Sequence, residues 1–576
     1  MFHDLLTPSR YPADSMGPAV AEAPSPRPTP QQAGPSLTVA EVLLQELSLW
    51  GVERIYGVAG DAVLGFLDAV SKQAQVRFIP VKHEFHAGIM ASAEAKLTGK
   101  VGVCFATMGP GFMNLLNGLA DAHLDRTPVV AITGQAPVKQ IGGDENQVID
   151  QQVAIQPIAR YSSLIVHPDA AVDRMYKALH LARTHGVVTH LSVPSDLFEQ
   201  SQAQPLRPPV PWIHGQVAFS RDLLEPVLGV MRSCRRPMIV AGEGAWSARP
   251  DLPRLAQQWG GGLVTTLGGK GIVDEGFPFH VGGLGEGGSP EVPWLLQESD
   301  LILLIGTTYW PEGFVPRQPR VVQVDAAPEN LGQRVQVEYG IVADAGAVVA
   351  LLADALSDHR PDQEWIDRVQ AAHRQWKETV ERESEFDGNP LPPQRVMGAL
   401  SAHIPPDAII TVDTGDHTVW FNRNFRSRGQ TLLYSGDWRT MGFGLPAALA
   451  AKLSQPHRPV VAVVGDGGLA MGLGELTTAV QEGTPITVVL MNNDSLQMEK
   501  SKMIMRGYGQ AGVDLTNPDF VKVAEASGWR AERVRDATQL ESALVESLAD
   551  PKPTLLDIPV QGVVPPLTGQ KPLGSS

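Results

Sequence analysis

Cysteine is nearly absent: in 576 residues there are two, Cys104 inside the apolar run VGVCFAT and Cys234 in MRSCRRP. That leaves neither a disulfide framework nor a cysteine-built metal site, and it fits a reducing cytoplasm. Basic clusters are missing as well. The formal net charge is -16 and no stretch gathers Lys and Arg, so no face is offered to nucleic-acid phosphates, and small-molecule ligands are expected instead. No apolar run reaches the roughly 18 to 20 residues of a membrane span, and the N-terminus lacks the apolar core of a secretory signal.

What is present in quantity is glycine and proline, 57 and 47 residues, beside 43% hydrophobic and 19% charged residues, the balance of a loop-rich globular α/β protein. At roughly 100 to 200 residues per domain the length predicts about three or four domains, and three is the working count. Residues 1–36 are dense in Pro, Ala and Ser and read as a disordered tail, with Met16 as an alternative start.

From Leu37 the sequence turns regular. A helix pattern (VAEVLLQELSLWG) precedes the short apolar strands RIYGV, RFIPVK, VGVCFAT, PVVAITG and THLSVP, with helical or glycine-rich stretches between them. Strands alternating with helices imply parallel sheets. This first domain, residues 37–205, closes at the proline-rich connector QAQPLRPPVPW. A second domain, 206–357, carries PMIVAGEG, LVTTLGG, DLILLIGTT and RVVQVDAAP. A charged helical linker, 358–390, leads into a third, 391–562, with AIITVD, PVVAVVGDGG, ITVVLMNN and TLLDIPV; residues 563–576 form a short polar tail. The predicted fold class is α/β, with three doubly wound parallel-sheet domains.

The sharpest chemical signal starts at Val460, in VVAVVGDGGLAMGLGELTTAVQEGTPITVVLMNND. One strand ends at Gly465-Asp466-Gly467 and the next at Asn492-Asn493, with twenty-four residues between Gly467 and Asn492. A loop, a helix and a strand of that length bring the second strand back beside the first, so Asp466 and Asn493 emerge at the carboxyl ends of adjacent parallel strands. A carboxylate, an amide oxygen and a backbone carbonyl suit a hard octahedral cation such as magnesium, with diphosphate oxygens and water in the remaining positions. Gly465, Gly467 and Gly468 let the backbone approach the phosphates. Either half alone reads more simply as a turn; the pair does not.

This spacing resembles the thiamine diphosphate signature, and the chain is similar to the acetolactate synthase and pyruvate oxidase family from about Val39 to Pro559. The resemblance implies that the three domains are pyrimidine-binding, central and diphosphate-binding, and that Asp466, Asn493 and Ser495 contact magnesium. It implies that Glu84, following RFIPVK in KHEFHAGIMASAEAKLTG, holds a proton against the cofactor's aminopyrimidine ring, through which the cofactor activates its own thiazolium carbon. A His-Glu pair at a strand end is, by itself, more often a surface feature. Gln135, closing ATMGPGFMNLLNGLADAHLDRTPVVAITGQ, is implied near the active centre. Gln147 matches another active-centre glutamine, although Asn146-Gln147-Val148 stands where the family has Phe-Gln-Glu. Met441, in WRTMGFGLPAALAAK, matches the apolar residue that holds the cofactor bent; a core methionine is the plainer reading. Because Glu84 and the metal pair lie on different domains, the family pattern implies a homodimer or homotetramer with active sites shared between subunits. In relatives that carry flavin, FAD lies on the central domain, which makes Gly268, Gly288, Gly306 and Asp325 candidates for it, although single glycine turns are weak signals.

Within the family the signals divide. AEAKLTGKVGVCFATMGPG, LLNGLADAHLDRTPVVAITGQ and IGTTYWPEG resemble pyruvate oxidases, whereas TMGFGLPAALAAK and GELTTAV lean toward acetolactate synthases. Lys502 stands where the carboligating synthases usually have tryptophan and the oxidases an acidic residue; it is either an anion-binding group or a solvated one. The preferred expectation is decarboxylation of a 2-oxo acid, pyruvate first, in the manner of a pyruvate oxidase, with acetolactate synthase-like carboligation as the alternative. A non-catalytic cofactor-binding relative is the alternative of another class, and the presence of Glu84 with Asp466 and Asn493 argues against it. A plain dinucleotide-binding oxidoreductase leaves the paired motifs unexplained. The C-terminal segment PVQGVVPPLTGQKPLGSS has no amphipathic helix that would dock on a membrane.

Overall fold

The structure, a computed structural model, describes residues 37–210 and 221–566. The expected N-terminal tail, the end of the proline-rich connector and most of the C-terminal tail lie outside the described residues. Three six-stranded sheets follow one another along the chain. The first holds β1 (Arg54–Gly57), β2 (Arg77–Pro80), β3 (Gly102–Ala106), β4 (Val129–Gln135), β5 (Tyr161–Leu164) and β6 (Val188–Pro194), in the order β2-β1-β3-β4-β6-β5. The second holds β7 (Pro237–Ala241), β8 (Gly262–Thr265), β9 (His280–Gly283), β10 (Leu301–Ile305), β11 (Val321–Asp325) and β12 (Tyr339–Val342), ordered β12-β11-β10-β7-β8-β9. The third holds β13 (Ile409–Val412), β14 (Thr431–Tyr434), β15 (Val460–Gly465), β16 (Thr487–Asn492), β17 (Arg530–Arg533) and β18 (Thr554–Pro559), ordered β14-β13-β15-β16-β18-β17. Neighbouring strands pair parallel in all three, so the architecture is α/β as the alternation of strands and helices predicts.

Central strands such as VCFA in β3, LILLI in β10 and VVQVD in β11 are buried along their whole length, because helices cover both faces of a parallel sheet. Five strands that the sequence does not announce, β5, β9, β12, β14 and β17, are all sheet edges. Two of them are covered little: β5 and β17 keep no fully buried residue, so their sequences (YSSL, RAER) lack the apolar run that marks a strand. The charged linker is a helix, Gln363–Ser384, whose buried Trp365, Val369, Ala372, Trp376 and Val380 recur at helical spacing and pack it on β9.

The first and third sheets share one apolar core. Helix Glu84–Thr98, capped by His83 and closed by Gly99 in a left-handed conformation, lies against helix Gly444–Ser454. Both are buried nearly all round, and Gly88 faces Gly118 of helix Pro110–Leu124, where a Cβ would lie 2.9 Å from the Gly118 Cα. The second sheet has its own core. No described helix is long and apolar enough to cross a membrane.

Candidate functional site

Strands β15 and β16 are adjacent and parallel, with Gly465 opposite Met491, so Asp466 and Asn493 do leave neighbouring strand ends. Asp466 opens the short helix Asp466–Met471 and is buried. Its Oδ2 accepts the Ser495 backbone N–H (3.2 Å) and the Asn517 side-chain amide (2.7 Å); Asn517 also donates to Asp494 Oδ1 (2.9 Å). Burial raises the Asp466 carboxyl above the ordinary aspartate range, and these donors oppose that shift. Asp494 adopts φ 51°, turning the chain sharply after Asn493. Ser495 is buried, and its hydroxyl donates to the Val513 carbonyl (3.0 Å). The side-chain oxygen of Asn493 is buried without a hydrogen-bond partner among the described residues. A carboxylate beside an orphaned amide oxygen fits a hard cation, and the residues present therefore fit magnesium with a diphosphate.

The glycines beside this pair lie in close quarters. A Cβ on Gly467 would lie 2.8 Å from Leu496 Cδ2 and 3.1 Å from Met441 Cε, which places Met441 directly over the turn. A Cβ on Gly468 would lie 2.7 Å from Asp413 Oδ2. Asp413, at the end of β13, is caged by the backbone N–H groups of Thr414 (2.7 Å), Gly442 (3.2 Å) and Phe443 (3.3 Å), and burial pushes its carboxyl up to about 6. His417 sits against Gly465, its Nδ1 3.1 Å from where a Cβ would be. Burial pushes its imidazole down to about 4, and its Nε2 is buried without a partner among the described residues. Asp413, His417 and Asn517 were not read from the sequence. The run VDTG repeats the strand, acid, glycine pattern of VGDG and was the available signal for Asp413; Asn517 carries none.

Glu84 is the first residue of its helix and is buried. Its Oε2 accepts the Asn114 side-chain amide (3.0 Å), and its Oε1 lies 3.0 Å from where a Cβ on Gly111 would stand. Gly111 belongs to the turn after β3, where helix Pro110–Leu124 starts behind Gly109 (φ 59°). The Gln147 backbone packs on the other side of that turn, its carbonyl 2.6 Å from where a Cβ on Gly109 would be. Gln147 itself has φ 64° and an exposed side chain. Gln135, buried at the end of β4, donates to the Ile149 carbonyl (3.3 Å) and holds the same loop from below. One turn therefore carries Glu84 and Gln147 on its two flanks, with Gln135 nearby. Within the chain no hydrogen bond or ion pair joins Glu84 to Asp466 or Asn493 among the described residues.

Among the bonds that join the first and third domains is that of Glu475, fully buried at the start of helix Glu475–Glu482. Its Oε1 accepts the Lys82 backbone N–H (2.8 Å) and lies 2.8 Å from His86 Nδ1, and Thr478 donates to its Oε2 (2.7 Å).

Three consecutive matches fall one on each sheet: the thiamine pyrophosphate enzyme N-terminal TPP binding domain over residues 37–155, its central domain over 224–352 and its C-terminal TPP binding domain over 413–558. The chain belongs to the thiamine pyrophosphate enzyme family. A Bacillus subtilis protein named as thiamine pyrophosphate-containing is 32% identical over 542 residues, 94% of either chain. The acetolactate synthase isozyme 1 large subunit of Escherichia coli is 30% identical, over 90% of this chain and 93% of its own. The pyruvate oxidase of Lactiplantibacillus plantarum is 29% identical, over 92% and 89%.

In this thiamine pyrophosphate enzyme the central-domain candidates have partners within the protein. Gly306 has φ 56° and its Cβ position lies 2.3 Å from the Gly244 carbonyl carbon, so the loops leaving β10 and β7 touch. A Cβ on Gly288 would lie 2.1 Å from the Gly283 carbonyl oxygen. A Cβ on Gly268 would lie 2.7 Å from the Tyr434 hydroxyl of the third domain. Asp325 accepts the Ala327 N–H and the Asn330 amide (both 2.9 Å), closing the turn after β11. Lys502, on helix Gln497–Met505, pairs with Glu499 Oε1 at 2.8 Å.

Proposed function

We propose that this chain is a thiamine diphosphate- and magnesium-dependent enzyme that decarboxylates a 2-oxo acid, pyruvate first, in the manner of a pyruvate oxidase or dehydrogenase. The observation that carries the reading is the pairing of the buried Asp466 carboxylate with the unpartnered Asn493 amide oxygen at adjacent strand ends. Asp466, Asn493 and the Ser495 carbonyl would hold magnesium, and the turn at Gly465–Gly468 would receive the diphosphate. Met441, over Gly467, would support the cofactor's apolar face. Bound thiamine diphosphate supplies a carbon nucleophile and an electron sink for decarboxylation. Glu84 would hold one proton at a carboxylate oxygen facing the aminopyrimidine, with Gln135 and Gln147 lining the substrate side.

Glu84 and the metal pair lie on different domains, and in the family's pattern such centres are completed by a second copy. We therefore propose a homodimer or homotetramer with shared sites, over domains bounded as 37–205, 206–357 and 391–562. FAD is assigned to the central domain because its strand order reverses between β7 and β10, where dinucleotides bind outside the strand ends. Acetolactate formation is the second reading, favoured by the synthase relatives at about 30% identity. Purified protein incubated with pyruvate, thiamine diphosphate and magnesium distinguishes them. Acetate or carbon dioxide release with dye reduction and a flavin spectrum supports the first reading, and acetolactate without dye reduction overturns it.

A further inference from the structure

Glu84 is gripped by one side chain. Asn114 lies one turn into helix Pro110–Leu124, three residues after Gly111, and its amide Nδ2–H donates to Glu84 Oε2 at 3.0 Å. The other carboxylate oxygen, Oε1, stands over the glycine position at the start of that helix, 3.0 Å from where a Gly111 Cβ would be. The carboxylate is thus fixed at one oxygen by a directional donor, while the missing side chain of Gly111 leaves room at the other. The helix start that carries Asn114 is itself wedged between β3 and the Gln147 backbone, since Gly109 fits there only without a side chain.

We propose that Asn114 is a positioning residue: it pins Oε2 of Glu84 so that Oε1 is the oxygen presented to the aminopyrimidine ring. The inference rests on the reading of Glu84 as the cofactor-activating acid. An amide donor on a carboxylate is a hydrogen bond to a charged group, one of the stronger kinds available to a side chain. Losing it frees the carboxylate to rotate about its last torsion, a broad and weakly restrained one. The proton relay then loses its preset geometry, while the metal corner, on another domain, is untouched.

The test reads two quantities on the magnesium-loaded protein: thiamine diphosphate affinity from intrinsic fluorescence quenching, and the rate of hydrogen-deuterium exchange at the thiazolium carbon of the bound cofactor. Glu84→Gln should bind the cofactor and lose the exchange; exchange at the unsubstituted rate would sink the reading of Glu84 itself. Asn114→Ala should slow exchange about tenfold or more with affinity unchanged within a few-fold, the size expected for one charge-assisted hydrogen bond. Asn114→Ser, which keeps a donor on a shorter arm, should recover part of the rate, and Asn114→Leu, which fills the same space without a donor, serves in place of the alanine variant if that one fails to fold. If Glu84→Gln abolishes exchange but the Asn114 variants exchange at the unsubstituted rate, the positioning role is wrong. It is equally wrong if affinity falls by the same factor as the exchange rate, the mark of a general structural effect.

Discussion

The first and third sheets have the same strand order, yet the corners they build differ in chemistry. After β3 the chain turns through Gly109-Pro110-Gly111 into a helix; after β15 it turns through Gly465-Asp466-Gly467 into a helix. The next strand inward ends in Gln135 in one sheet and in Asn492-Asn493 in the other. The edge strand β2 leads to the helix beginning at Glu84, and its counterpart β14 leads past Met441 to the helix beginning at Gly444, and these two helices pack on each other. The same frame thus presents proline and a neutral amide in one domain, and a buried carboxylate with an unpartnered amide oxygen in the other. On the proposed function, a cation would need the second set, and a ring nitrogen that exchanges one proton would need only a single acid, Glu84. The topology supplies strand-end turns, and one or two side chains per turn decide what each binds.

Changing those side chains tests the division. The largest effect is expected at the acid of the first corner: Glu84→Gln should lower turnover about a hundred- to ten-thousandfold, the range for removing a general acid-base group, with magnesium-dependent cofactor binding retained. Retained turnover would erase the contrast between the corners. Next comes Gly468→Ala. Its Cβ would meet Oδ2 of Asp413, and the Asp413 carboxylate is held by the Gly442 N–H at that oxygen and by the Thr414 and Phe443 N–H groups at Oδ1, so the turn must move. We expect about 1 to 3 kcal/mol of lost stability in chemical denaturation, the usual cost of overpacking, and a weaker cofactor constant.

A similar loss of stability, but without weakened cofactor binding, is expected at the contact between the two domains. Glu475→Ala strips the Lys82 N–H of its buried acceptor and His86 Nδ1 of its partner, and should lower stability by about 1 to 3 kcal/mol. An unchanged melting temperature would show that the two domains do not depend on this carboxylate. The smallest is Lys502→Met. Because Lys502 is partly exposed and paired with Glu499, its loss should leave both stability and the Michaelis constant for the 2-oxo acid nearly unchanged, exposed pairs contributing about 0 to 1 kcal/mol. A severalfold rise in that constant would show that Lys502 leaves Glu499 to bind an anion.

The fold class was legible because parallel strands buried on both faces must be apolar throughout, as LILLI and VVAVV are. Five of the six edge strands were not: β12 (YGIV) and β17 (RAER) meet solvent and carry no such run, and the short, glycine-ending β9 (HVGG), although buried, carries none either. The same contrast holds at the candidate site. Asp466 and Asn493 fall in one continuous segment whose length dictates that their strands adjoin, so their meeting followed from spacing. Asn517, which bonds Asp466 from 51 positions away, and Glu475, which clasps Lys82 and His86 across domains, are brought in by packing that no local pattern encodes. Asn114 lay in plain sight three residues past the Gly109-Pro110-Gly111 turn; only the direction of its amide marks it.

The claim that Asp466 and Asn493 form a metal corner for the cofactor is tested most directly by calorimetric titration of thiamine diphosphate into the unsubstituted protein and Asp466→Ala, each with and without magnesium. Saturable binding that requires magnesium in the unsubstituted protein, and that vanishes in Asp466→Ala while its thermal unfolding stays cooperative, is the predicted result. Equal binding by both proteins, or binding indifferent to magnesium, would contradict it.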